Sequence, residues 1–76
     1  MHTELLIIKC GDGYIRAKDG LYKLCSLDKA SVFPMEKIDT VREHLGQIIA
    51  QGMTPARIKK LILTEEDLHE TGTDRA

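Results

Sequence analysis

Residues 35–51 are the one stretch of this chain with apolar side chains at helical spacing, and that limits the fold more than any other feature. At 100° per residue, Met35, Ile38, Val41, Leu45, Ile48 and Ile49 fall on one stripe, with Glu36, Asp39, Glu43 and Gln47 opposite. Pro34 suits the entry of such a helix, where its missing N–H would be unbonded anyway. Gly52 and Pro55 mark the end. One amphipathic helix buries one stripe, so the rest of the chain must supply a layer for it to rest on. Gly46 lies at the margin of the stripe and would permit that layer to approach closely.

The remaining runs have strand character. Residues 4–10, 14–18, 21–25 and 57–64 are rich in strand formers and are separated by turn residues. Asp19-Gly20 is the dipeptide that a two-residue type I′ hairpin prefers. Gly11-Asp12-Gly13 reads as a three-residue tight turn, and Val32-Phe33 is extended because the following proline disfavours helical geometry. The expected fold is α+β, a small antiparallel sheet of three to four strands in the order βββαβ, with the helix packed on one face. Its single domain covers residues 1–69, and residues 70–76 form a disordered tail. The imperfect alternation of 57–64 suits a strand placed centrally or covered on both faces.

Two tight turns predict a register. Across Asp19-Gly20, Lys18 opposes Leu21, Arg16 opposes Lys23 and Tyr14 opposes Cys25. Across a three-residue Gly11–Gly13 turn, Cys10 opposes Tyr14, Ile8 opposes Arg16 and Leu6 opposes Lys18. Side chains alternate between faces. Leu5, Ile7, Ile15, Ala17, Tyr22 and Leu24 would then meet the helix, while Leu6, Ile8, Cys10, Tyr14, Arg16, Lys18, Leu21, Lys23 and Cys25 would face away. Only Phe33, Tyr14 and Tyr22 are aromatic, so the core is aliphatic, and a chain of 76 residues sits near the lower limit for a self-sufficient one.

An exposed apolar patch on such a chain marks a partner site. The expected function is therefore that of a small non-enzymatic interaction module, a homo-oligomer pairing through the open face or an edge strand. Leu6, Ile8, Tyr14, Arg16 and Leu21 would carry the contact, and Ile8→Asp would dissociate it without unfolding the monomer. The alternative is a nucleic-acid-binding accessory protein that uses Tyr14, Arg16, Lys18 and Lys23 on the same face, with Arg57, Lys59 and Lys60 on the last strand. Charge is unevenly placed: residues 1–64 carry ten Lys/Arg against seven Asp/Glu, whereas residues 65–76 carry one against five.

Other chemistries find little purchase. In the register above, Cys10 and Cys25 lie two strand spacings apart, about 9–10 Å, too far for a disulfide or for one shared metal. Glu65 and His69 stand at i, i+4, which is two candidate ligands and not a site. Gly11-Asp12-Gly13 precedes a strand, whereas a phosphate loop needs a helix behind it. Ser26 and Ser31 have no histidine nearby in sequence. No catalytic residue, cofactor, metal or small-molecule ligand is inferred. The run Leu5–Ile8 is too short for a secretory leader or a membrane span. With two cysteines and no secretory context, a cytoplasmic location is expected.

Overall fold

The structure, a computed structural model, describes residues 2–68. The tail at 70–76 and His69, and with it the Glu65–His69 pair, lie outside the described residues. Strand β1 (His2–Cys10), β2 (Gly13–Lys18) and β3 (Leu21–Cys25) come first, followed by a short 3-10 turn at Leu27–Lys29. A three-residue strand β4 (Val32–Pro34) then leads through a second 3-10 turn, Met35–Lys37, into helix α1 (Ile38–Ala50). Strand β5 (Ala56–Thr64) closes the chain. The α+β architecture is as the sequence predicts, with β4 as an additional short strand and the first turn of the helix tightened to 3-10.

All pairings are antiparallel, and β1 is the centre of the sheet. Strand β5 runs along one side of β1 for its whole length, from His2↔Thr64 to Cys10↔Ala56. The other side of β1 is shared, β2 pairing at Lys9 and Cys10 and β4 at Leu5, Leu6 and Ile7. Strand β3 adds to β2. Strand β5 is therefore an edge and not the central strand its apolar run suggested. Where β2 parts from β1, Ser31 takes over its inner side: Ser31 N–H donates to Ile15 O at 3.1 Å, Ala17 N–H donates to Ser31 Oγ at 2.9 Å, and that hydroxyl donates to Ala17 O at 3.2 Å. These bonds satisfy backbone groups that would otherwise be stranded beside the core.

The second hairpin has the register the sequence predicts, Tyr14↔Cys25 through Lys18↔Leu21, with positive φ at both Asp19 and Gly20 as a type I′ turn requires. The first hairpin differs by one residue. Cys10 pairs with Gly13 and Lys9 with Tyr14, so the turn is the two-residue Gly11-Asp12. Gly11 has φ +59° and Asp12 does not share the positive sign, the pattern of a type II′ turn with glycine first. A one-residue slip exchanges the faces of a strand. Leu6, Ile8 and Cys10 accordingly turn toward the helix, and Leu5, Ile7 and Lys9 turn away.

The core follows from that exchange. Leu6, Ile8, Cys10 and Ile15 pack with Val41 and Ile48 of α1, and Tyr22, Phe33, Ile38, Leu45, Met53, Ala56 and Ile58 close the cluster. Leu6 is 3% exposed and Ile8 2%. The open, partner-binding positions predicted for these two residues are corrected: both are central core. Ile7, on the other side, is 2% exposed and stands outside the cluster, so the middle of β1 is closed over on both faces. Met35 and Ile49, neighbours at one edge of the predicted helix stripe, remain exposed, while Ile48 at the other edge is buried.

Helix α1 ends in a Schellman motif. Gly52 N–H donates to Ile49 O at 2.9 Å and Met53 N–H to Ile48 O at 3.2 Å, with Gly52 at φ +85°. Met53 also packs against the core beside Ile48, which is the apolar contact that usually accompanies the motif. The Thr54–Pro55 bond that follows is cis. Gly46 does not serve the close approach expected of it, since a Cβ there would meet nothing within 4 Å. The same substitution at the two glycines should thus act in opposite directions. Gly46→Ala is expected to stabilise the fold by about 0.5–1 kcal/mol through helix propensity. Gly52→Ala is expected to destabilise it by about 1–2 kcal/mol, because an alanine in the left-handed region is strained. Urea unfolding midpoints of the two variants, moving apart from the parent, would test both.

Candidate nucleic-acid interface

The sheet face turned away from α1 is built by alternation from one cross-strand row. Arg57 of β5 opposes Lys9 of β1, Lys9 opposes Tyr14 of β2, and Tyr14 opposes Cys25 of β3. Lys9 Nζ lies 5.5 Å from the centroid of the Tyr14 ring, close enough for a cation–π contact. Two residues along β2, Arg16 opposes Lys23, and two further, Lys18 opposes Leu21. Two residues along β5, Lys59 opposes Ile7, which opposes Val32. Lys9, Arg16, Lys18, Lys23, Arg57 and Lys59 therefore share one face, and no strand position on it is acidic.

Asp19 borders this face at the hairpin turn, whereas the acids of β1 and of the helical segment lie elsewhere. Among the described residues Glu4 is the only acid within a strand; it points to the helix side, where its Oε2 lies 3.6 Å from Lys60 Nζ. Glu36, Asp39 and Glu43 are exposed on the outer side of the helical segment, with Asp39 bound to Arg42 at 3.3 Å. The small net charge of the whole chain hides the basic character of this sheet face.

Arg16, Lys18 and Lys23 do more than share a face. Together with Leu21 and Asp19 they line a hollow of about 320 Å³ at the outer end of the hairpin. Leu21 is 62% exposed and supplies its apolar wall. Three cations against the one carboxylate of Asp19 leave this concavity net positive. Arg16 and Lys23 are direct cross-strand neighbours, an arrangement of like charges that costs sheet stability.

The sequence-predicted residues separate cleanly. Tyr14, Arg16, Lys18, Leu21 and Lys23 come together, whereas Leu6 and Ile8 are in the core. Lys9, Arg57 and Lys59 complete the basic face; Lys9 is placed by the register of β1, and Arg57 and Lys59 by the pairing of β5 with β1. Lys60, grouped with Arg57 and Lys59 in the sequence, points to the other side. Because Lys9 occupies the Tyr14 ring, that aromatic is less open as a stacking platform than its position alone implied.

A second polar cluster lies on the helix side of the same hairpin. Tyr22 Oη is 2.8 Å from His44 Nδ1 and donates to Gln47 Oε1 at 2.8 Å. A phenol has one proton, so with Gln47 accepting it, His44 Nδ1 is the donor of the other bond. The His44 ring also lies against Phe33, centroids 5.5 Å apart, and Tyr22 meets its edge at 5.6 Å. These contacts dock the hairpin onto α1 and thereby fix the angle at which the basic hollow is presented.

The two thiols do not form the row expected of them. Cys10 is buried on the helix side opposite Gly13, Cys25 is half-buried on the open side opposite Tyr14, and both are free. Among the described residues, no three His, Cys, Asp or Glu side chains gather as a metal site would require, and no helix is long and apolar enough to cross a membrane. Comparison with protein-family models, with curated proteins and with solved structures finds no match to this chain.

Proposed function

We propose that the protein is a small single-stranded nucleic-acid-binding module that acts by binding and not by catalysis. The observation that supports this most is the gathering of Lys9, Arg16, Lys18 and Lys23 on one sheet face free of strand carboxylates, three of them around a single hollow. A flexible single strand can lay successive phosphates along such a surface, because cations two residues apart on a strand are separated by roughly 6.5–7 Å. Sheet faces serve single-strand readers in this way, with electrostatics setting affinity and stacking adding to it. A duplex fits less well: the hollow sits at a hairpin tip, and no helix is aimed outward to enter a groove. The Tyr14 hydroxyl end and Leu21 supply what base contact the face offers.

The self-association expected from the sequence drew on Leu6 and Ile8. With both in the core, what remains of that reading is Tyr14, Arg16 and Leu21 on the open face and the unpaired edge of β5.

Fluorescence anisotropy of a labelled single-stranded oligonucleotide tests the proposal. Binding at about 50 mM salt is expected to weaken linearly on a log–log plot, with a slope near −3.5 if five phosphates are engaged at ~0.7 each. The assay is run on the intact chain and on one ending at Leu68, which lacks the last acidic residues. No binding by either form would sink the proposal. Equally tight binding of poly-glutamate would transfer the face to an acidic protein partner.

A further inference from the structure

Strand β5 pairs with β1 on one side only, which leaves the backbone donors and acceptors of every second residue of its nine unpaired along the other side among the described residues. Long free edges of this kind invite a second strand. Proteins commonly guard them with lysine, and Lys59 and Lys60 fit that role. The charge pattern along the segment says more. Arg57, Lys59 and Lys60 occupy its first half, Leu61, Ile62 and Leu63 its centre, and Glu65, Glu66 and Asp67 follow its end.

We propose that β5 pairs antiparallel with β5 of a second copy of this chain about a two-fold axis at Ile62. An antiparallel two-fold sets each half of the segment against the opposite half of its copy. Directly opposed residues must share a face, so the axis has to pass through a residue position. With the axis at Ile62, Lys59 opposes Glu65 of the second copy and Arg57 opposes its Asp67, both on the open face. Leu61 opposes Leu63 on that face, and Ile62 meets itself on the helix face. Ile62 is 54% exposed and Leu63 46% in the single chain, so the apolar centre has surface to bury. Moving the axis to Leu61 leaves one ion pair per half, and moving it to Leu63 sets Leu61 against Glu65. Ile62 is the position at which both cations of the open face meet acids and the apolar centre of that face is self-paired, at the cost of setting Ile58 against Glu66 on the helix face.

The consequence is a continuous sheet with both helices on one side. The two open faces become coplanar, with Lys9, Arg16, Lys18 and Lys23 of each copy left for an anionic ligand while Arg57 and Lys59 are taken up in the contact. The pairing does not depend on nucleic-acid binding, and it is tested on protein freed of nucleic acid.

Sedimentation equilibrium of the intact chain, up to about 1 mM, should show twice the chain mass. Ile62→Arg sets two guanidinium groups against each other at the axis and should return the single-chain mass, with far-UV circular dichroism unchanged because the position is exposed. Lys59→Glu alone and Glu65→Lys alone should each weaken the dimer, and the two together should restore it, since the ion pair is reversed and not removed. A single-chain mass for the parent at the highest concentration overturns the proposal. So does a dimer that survives Ile62→Arg, and a double variant no tighter than either single one refutes the register.

Discussion

Ile8→Asp is expected to unfold the chain. Ile8 stands on the central strand with Ile58 as its cross-strand partner and is almost wholly buried against Val41, Ile48 and their neighbours. Removing a buried aliphatic side chain of this size costs about 2–5 kcal/mol. Placing a carboxylate there adds several kcal/mol, because no cation is available within an aliphatic cluster to offset desolvation. A domain of this length holds roughly 4–11 kcal/mol of stability in total. The two costs together reach or exceed that reserve. Far-UV circular dichroism at neutral pH should show loss of the folded signal. Leu21→Asp is the matched control, since Leu21 is exposed and the change should move stability by no more than ~0.5 kcal/mol. A folded Ile8→Asp protein would contradict the register of the first hairpin and, with it, the composition of the open face.

That register shows what the sequence could and could not disclose. The helix was legible because its stripe is long, its ends are marked and no other segment competes for it. The second hairpin was legible because Asp-Gly specifies one turn type, and that turn brought Tyr14, Arg16, Lys18, Leu21 and Lys23 together correctly. The first hairpin was misread by one residue, for two reasons. Gly11-Asp12-Gly13 accommodates a two-residue turn led by glycine as readily as a three-residue one. Normally the apolar pattern of the strand would decide, but Leu5, Leu6, Ile7 and Ile8 are all apolar, so either face of β1 could be the inner one. Lys9 follows Leu5 and Ile7 by alternation, so the misread register would have put it on the helix side as well. Arg57 and Lys59 depended on β5 pairing with β1 from the far end of the chain, and no local signal encodes that. The three apolar residues at 61–63, which looked like a central strand, sit on an edge, with Ile62 and Leu63 exposed and Leu61 half-buried.

Lys23→Glu should make the fold more stable and the protein worse at holding a single-stranded oligonucleotide. Arg16 and Lys23 oppose one another directly across β2 and β3. Like charges in that relation are unfavourable, and an opposite pair contributes about 0.2–1 kcal/mol. Replacing Lys23 by glutamate turns the repulsion into an ion pair, so the urea midpoint should rise. The same change removes one of the three cations lining the hollow and adds a negative charge to it. Its cost in affinity should exceed that of neutral Lys23→Gln, and the slope of log affinity against log salt should become shallower by at least about 0.7. A face shaped only by folding would have no reason to keep the repulsive pair. Stability and binding moving in opposite directions is therefore the signature of a surface kept for an anion. If both rise or both fall, the cations are ordinary surface charge and the hollow has no ligand of this class.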